Sequence, residues 1–594
     1  MCTFSKIKDP LKRFFFVEKW KQNKNSRLSG KQLRSFFNIV SGPERILVLA
    51  FILIAIISTM GWWRIDFLAK TKVVPKEGGK ISEVISSTPQ SLNPIFSPLN
   101  DADRDISELI YAGLLKYNKN GQIEPDLAKK YRIISEGKVY IFTLKDNIYW
   151  SDGEKITADD VIFTMDTIQN PSTQSPIKVL FQGVKAEKIN GDSIKFTLDN
   201  PYPSFVENFT FKIIPRHIFQ EIDPRDLSSF VPEETASSGP FKIEKILKKE
   251  EKIKSISLQA NEKYNGGSPY IKKFDLIFKE TKEETLKLKG KTTNLGDLSA
   301  EESDGMQKKY NIYSLYSPRY FAIFLNQTRV PFNVKEIKEA MSIATPKEEI
   351  IKEVFDGKAR KVDGPFLPEN NIAGNYKIYK YSLKAAKEKL KNSGWKDINK
   401  DGAREKKING KTIKLNFTMY TVKQSELEAV ARIIKKSWNK IGIKLEIKTM
   451  QPQEILQTII KNRRYDILLF GHSLMMQPES YSFWHSSQIN YPGLNLSLYK
   501  NNEVDKMLES AREEKKSAKR KKILSDARKK MAEDIPAIFL YSPNYLYAVK
   551  KNIKGFDGKY IIDPSKRFIG IEKWYIKTKR VPKYPKETTS SNHN

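Results

Sequence analysis

Alternating apolar and polar residues mark short strands through most of this chain. The clearest are 80–87 (KISEVISS), 138–144 (KVYIFTL), 193–198 (SIKFTL) and 273–278 (KFDLIF), with others at 412–420, 443–450, 465–470 and 536–542. Each is bounded by Gly, Pro, Asn or Asp, which interrupt ladders and favour turns. Amphipathic helices lie between them. In SLKAAKEKLKNSGW, Ser382 is the expected N-cap, Leu383, Ala386 and Leu390 share one face, and Gly394 takes the left-handed position past the last turn. Another helix is expected from about Val504, with Met507, Leu508 and Ala511 on one side, followed by a lysine-rich helix that ends before Pro536. These stripes read as packing faces rather than ligand contacts. The mixture predicts an α/β or α+β protein, and 594 residues exceed what one core ordinarily serves.

One stretch departs from this pattern. Residues 46–63 are 18 uncharged residues, roughly 27 Å of helix, which matches the hydrocarbon thickness of a bilayer. Trp62 and Trp63 stand where an interfacial aromatic belt belongs. Ahead of the run, residues 1–45 carry 11 Lys/Arg against 3 Asp/Glu, which places the N-terminus in the cytoplasm and the bulk of the chain outside. No A-x-A cleavage site and no lipid-anchor cysteine follow, so the expectation is an uncleaved, single-pass signal anchor in the cell membrane. On this reading 1–45 is a basic cytoplasmic leader, 46–63 the anchor and 64–77 a stalk.

Charge and composition narrow the chemistry. The formal net charge is +34, yet the lysines are dispersed and no nucleic-acid-binding signature accompanies them, so solvated faces are expected and nucleic acid is not. The single cysteine, Cys2, rules out an intramolecular disulfide and a cysteine-based zinc cluster. Only His217, His472, His485 and His593 are available as imidazole ligands. No G-x-S-x-G or H-E-x-x-H occurs, so a hydrolase is not expected.

The segment WSDGEKITADDVIFTM (150–165) gathers carboxylates that invite a catalytic reading. Local structure accounts for them. Asp152-Gly153 forms a turn signal, and Thr157 with Asp160 fits the capping-box spacing ahead of the apolar face Val161, Ile162 and Met165.

Together with YAGLLKYNKNGQIEPDLAKKY (111–131), that segment resembles the hallmark region of the family 5 extracellular solute-binding proteins, the peptide and nickel receptors of ABC importers. The resemblance extends through STPQSLNP (87–94), SSGPFKIEKI (237–246), LNQTRVPFNVKEIKEAMSIA (325–344), AAKEKLKNSGW (385–395), YDILLFGHS (465–473) and AEDIPAIFLY (532–541), covering roughly 80–565. Lys338 stands where the family usually has arginine. The resemblance implies a two-lobed, class II periplasmic-binding-protein-like clamp with an extra third subdomain. The first lobe would comprise 78–115, 236–318 and 545–580, the extra subdomain 116–235, the second lobe 319–544, and a tail 581–594. Chain crossings near YSPRYFAIFLN and FLYSPNYLYA would form the hinge. The implied function is a non-enzymatic receptor, expected to be a monomer, that closes on a peptide or small oligomeric solute and docks on an ABC permease.

In peptide-binding members an acidic residue in the loop after the YD strand meets the peptide amino terminus. The loop here reads GHSLMMQPESYSFWHS, without that aspartate. Candidate ligand contacts are therefore His472, Leu474, Met475, Met476, Gln477, Glu479, Tyr481 and Trp484, with Tyr320 from the first crossing. The methionines offer an adaptable apolar wall, and His472 leaves a nickel or metallophore reading open. No resident cofactor is expected. The one metal candidate is DINKDGARE, where Asp397, Asn399, Asp401 and Glu405 have calcium-loop spacing but Ile408 replaces the twelfth-position glutamate. A cation-free Asx turn fits the same residues. The missing lipid-anchor cysteine and the basic leader also leave open a surface-anchored sensor or adhesion module on the same fold.

Overall fold

The computed structural model describes residues 42–583 apart from 200, 202, 231–235, 251, 368–371, 373–376, 475–479 and 515. Two compact units divide the chain, one formed around the apolar segment together with the C-terminal end, and one spanning Pro75–Lys577.

In the first unit a helix runs Gly42–Lys70, with Glu44 in its first turn and Lys70 in its last, each placed to complement the helix dipole. It is long and apolar enough to cross a membrane. The helix continues past Trp63 because Arg64, Asp66 and Lys70 are compatible with helix, and Asp66 pairs with Lys70 one turn later at 2.9 Å. A strand, Thr71–Lys76, then pairs with Lys577–Pro582. The Lys583 amide donates to the Lys70 carbonyl at 2.8 Å, and Arg580 donates to the Thr71 hydroxyl at 3.1 Å. The stretch expected as an irregular stalk is thus helix and strand, and its strand is completed by the C-terminal end.

The second unit holds two large sheets. A seven-stranded sheet runs in the order 310–315, 545–550, 294–298, 80–85, 273–278, 252–260, 241–249. Strand 80–85 is parallel to both of its neighbours and the other pairs are antiparallel. A six-stranded sheet runs 359–361, 537–543, 319–325, 467–473, 416–422, 444–450. Its parallel pair 416–422 and 444–450 is joined by the amphipathic helix Ser425–Asn439, the right length for a crossover. A four-stranded antiparallel sheet (128–134, 139–144, 193–198, 184–190) and the helix Ala158–Gln169 form the extra subdomain.

The cores follow from strand periodicity. In 319–325, Tyr320, Ala322 and Phe324 enter one apolar cluster of the second lobe while Ile323 and Leu325 enter another on the opposite face. In 545–550, Tyr545, Tyr547 and Val549 face the main cluster of the first lobe, and Leu546 and Ala548 face a smaller one. That main cluster also takes in Phe142, Phe196 and Phe209 of the subdomain, so the subdomain and the first lobe share a core. The second lobe has its own clusters, with no member from the first.

A buried ion network ties the discontinuous first lobe together. Arg567 donates to Glu83 at 2.7 Å and to both Asp105 oxygens at 2.7 and 2.5 Å. Tyr547 donates to Glu83 at 2.6 Å and receives Asn294 at 2.8 Å. Nearby, Glu108 accepts from Lys566 at 2.6 Å and pairs with Lys212 of the subdomain at 3.0 Å. Burial acts to raise the Glu108 carboxyl, but the two ammonium groups outweigh it and hold it down at about 2.

Two outcomes follow for stability. Arg567→Met strands two buried carboxylates and should cost about 3–5 kcal/mol in denaturant unfolding; a loss below about 1 kcal/mol would show that the network is dispensable. Because the folded value of Glu108 lies below its ordinary 4.5, its pairs stabilise the fold above that pH and the contribution fades as pH falls toward about 2. Glu108→Gln should therefore flatten the fall of unfolding free energy over that acid range, and an unchanged slope would contradict the assignment.

Candidate ligand-binding site

Each carboxylate in 150–165 has a structural partner. The Thr157 hydroxyl accepts from the Asp159 amide, and Asp160 accepts from the Thr157 amide at 2.9 Å, completing the capping box. The other Asp160 oxygen accepts from the Arg216 amide at 3.0 Å, and burial raises its carboxyl. Asp152 meets His217 at 2.8 Å and Asp159 meets Lys188 at 2.7 Å. Gly153, at φ +116°, makes the turn between them. His217 is thereby a turn residue, held also against Trp150.

The 397–405 loop closes on itself. Asp397 accepts from the Gly402 amide, Asn399 from the Asp401 amide and Asp401 from the Ala403 amide, and Lys414 lies 3.1 Å from Asp401 and 3.7 Å from Glu405. These bonds and the nearby lysine hold Asp401 at about 2. Glu405 is turned into a buried strand position. Among the described residues no three His, Cys, Asp or Glu side chains are placed to hold a metal ion. The geometry is that of an Asx turn with a lysine where a cation would sit.

Of the nine proposed ligand contacts, the structure brings Tyr320, His472 and Trp484 together, but inside the second lobe. Their exposures are 0, 4 and 1%. The Tyr320 hydroxyl lies 3.0 Å from His472 Nδ1, and Phe324, Phe483 and Phe539 complete an aromatic core. Burial drives the imidazole pKa down to about 3 against the opposing pull of the Leu494 backbone, so His472 is neutral. These three residues therefore anchor the start of the loop rather than face solvent. Alternation placed them there, because Tyr320 and His472 are cross-strand partners on the same sheet face. Leu474 is half-buried against that cluster, with its amide donating to the Pro318 carbonyl. Tyr481 stacks on His485 at 4.1 Å beneath the Arg512 guanidinium. Met475, Met476, Gln477 and Glu479 lie outside the described residues.

The described chain passes between the large sheets twice, at 316–318 and at Asn544. The two passages adjoin. Ser542 donates to the Ser317 carbonyl at 3.4 Å, Asn544 to the Ser314 hydroxyl at 2.8 Å, and Arg360 lies 4.4 Å over the Tyr316 ring. Lys358 of the second lobe reaches Ser303 and Asp304 of the first at 3.4 and 4.0 Å.

Beside these crossings stand polar groups that sequence reasoning missed. Strand 294–298 carries a bulge, since three steps from Leu295 to Leu298 oppose only two from Ala548 to Leu546. Gly296 and Asp297 form it, and Asp297 is left-handed at φ +53°. A Cβ at Gly296 would overlap the Tyr545 hydroxyl, so glycine lets that ring lie against the bulge. The Asp297 side chain is 69% exposed, yet desolvation is the largest influence on it and pushes its carboxyl up. Both hold for a group on the wall of a concavity, open to water but surrounded by protein. Its electrostatic neighbours include Lys282, at 4.0 Å, and Arg319 and Glu426 from the second lobe. Arg319 is half-buried at the mouth of strand 319–325. Its register partner is Ser473, one residue before the candidate loop. The buried Arg319 Nε has no hydrogen-bond partner among the described residues, and the guanidinium is in no ion pair there. The only sequence hint was the Gly-Asp pair interrupting an apolar run.

Comparison with known proteins is consistent along the chain. The family model for bacterial extracellular solute-binding proteins, family 5 Middle, matches residues 122–491. The oligopeptide-binding protein AppA of Bacillus subtilis is 28% identical over 518 residues, covering 84% of this chain and 92% of that protein. A solved structure of AppA in complex with a nonapeptide superposes with a TM-score of 0.67, covering 84% of this chain and 99% of the other. NikZ of Campylobacter jejuni, solved in complex with Ni(L-His), is 25% identical with a TM-score of 0.68, covering 84% and 100%. The probable D,D-dipeptide-binding periplasmic protein DdpA of Escherichia coli is 26% identical over 506 residues, covering 83% of this chain and 93% of that protein.

The loop geometry leads to one outcome. Millimolar calcium should leave the melting temperature unchanged, and a rise of several degrees that Asp401→Asn abolishes would restore the calcium reading.

Proposed function

Because the chain belongs to the bacterial extracellular solute-binding proteins of family 5, a family of substrate-binding receptors, we propose that it is the extracytoplasmic receptor of an ABC importer. It takes peptides or similar oligomeric solutes between its two lobes and performs no chemistry on them. The observation that carries this reading is the pair of adjoining crossings between lobes with separate cores. Rotation about two short segments leaves both interiors intact, so closure costs little until a solute bridges the walls. Peptides are favoured as the solute class by the oligopeptide- and dipeptide-binding relatives, and the nickel–histidine complex of NikZ supplies the second reading. The closed form docks on a permease, and the apolar helix Gly42–Lys70 holds the receptor at the membrane as a monomer with its leader in the cytoplasm.

Mass spectrometry of small molecules released from the purified full-length chain tests the solute class. Mixed peptides are the expected result, whereas recovery of a metal chelate alone would replace them with the second reading. Peptide uptake unchanged by deletion of the gene would instead identify a sensor or adhesion module.

A further inference from the structure

Arginine is charged at every accessible pH, and leaving its guanidinium half-buried without a counter-ion costs folding free energy. Elsewhere the chain avoids that cost, for Arg567 is saturated by two carboxylates. Arg319 is not. It stands at the first crossing, beside the start of the loop that follows strand 467–473, with Nε buried and unpartnered among the described residues. Two tyrosines lie around it. Tyr541 is 1% exposed and Tyr545 5% exposed, and neither hydroxyl bonds a described residue. Tyr541 stacks on Phe321, two residues along from Arg319 on the same strand face, and Arg319 is its leading electrostatic neighbour. The Tyr545 hydroxyl lies against the bulge that presents Asp297. A left-handed aspartate in a bulge is a strained conformation of the kind found where a side chain must be aimed.

We propose that Arg319 receives a carboxylate of the bound solute, while Asp297 on the facing lobe receives its cationic group, with the Tyr541 and Tyr545 hydroxyls as hydrogen-bonding partners between them. This rests on the receptor reading above and deepens it by naming the ligand chemistry: a solute carrying both a carboxylate and an ammonium or guanidinium. A carboxylate offers Arg319 the planar, bidentate partner that the protein withholds. Closure then removes water from both pairs and strengthens them, because each wall brings one charge. Specificity arises from the same arrangement. A solute lacking the carboxylate leaves a guanidinium sealed without a partner as the lobes close, and is rejected for that reason. Lys282 and Glu426 adjust the balance. Lys282 prefers Glu302, at 3.1 Å against 4.0 Å to Asp297, which leaves Asp297 free to change partners.

The test uses the full-length chain in detergent and three probes: a pool of short free-acid peptides, the same pool with amidated C-termini, and nickel–L-histidine. Wild type should bind the free-acid pool roughly ten- to a hundred-fold more tightly than the amidated pool, the scale of losing one partner of a desolvated charge pair. Arg319→Met should weaken free-acid binding by a similar factor and erase the discrimination, Arg319→Lys should restore part of it, and neither should lower the melting temperature. Asp297→Asn should weaken binding of the free-acid pool but not of its N-acetylated form. Equal affinity for both pools in wild type, or unchanged affinity in Arg319→Met, overturns the proposal while leaving a peptide receptor. Binding of nickel–histidine alone, lost in Arg319→Met, overturns the peptide reading and keeps the carboxylate subsite. Binding of none of the three overturns both.

Discussion

Everything mobile in this molecule passes through two short stretches of backbone. The described chain crosses between the two large sheets at 316–318 and at Asn544, and each lobe has apolar clusters that exclude the other's residues. A packed interior resists deformation, so relative motion concentrates where packing is thin. At the crossings the contacts are a few hydrogen bonds and the Arg360–Tyr316 stack, which can rotate without opening either core. The position of the crossings also decides where a solute exerts leverage. Charges beside the hinge, on opposite walls, change their surroundings most as the lobes approach.

Two arginines show how the same side chain serves opposite ends. Arg567 is buried and satisfied, and it holds together strands and turns that lie hundreds of residues apart in sequence. The extra subdomain is attached by similar means, through Glu108 between Lys566 and Lys212, and by a shared aromatic core. The first lobe and subdomain therefore behave as one body. Arg319 lies at the border between bodies and is left unsatisfied. Saturation accompanies rigidity, and vacancy accompanies the place where a partner arrives.

Much of this was legible in the sequence where local rules suffice. Strands 193–198 and 273–278 begin and end where alternation places them, and the Thr157–Asp160 box and the Ser382 cap form as their spacing requires. The run 412–420 did not hold as one strand. A hairpin, 405–408 with 411–414, takes its first part, and Leu415 turns inward before 416–422 begins. Residues 64–76 looked like a linker because the partner strand that orders them comes some five hundred residues later. For the site, periodicity misled in one direction: Tyr320, His472 and Trp484 are aromatic and polar, as ligand contacts tend to be, but share the sheet face that becomes core. Asp297 and Arg319 escaped notice for the opposite reason. A bulge and a strand mouth are set by tertiary pairing, and nothing in GDL or SPR announces which wall they face.

The central claim is that solute binding closes the lobes about the two crossings. Double electron–electron resonance between spin labels at Glu283 and Arg432, both exposed and on different lobes, in a Cys2→Ser background measures that motion directly. A shorter and narrower distance distribution on adding the free-acid peptide pool is the expected result. An unchanged distribution in protein shown to hold the peptide would contradict the account.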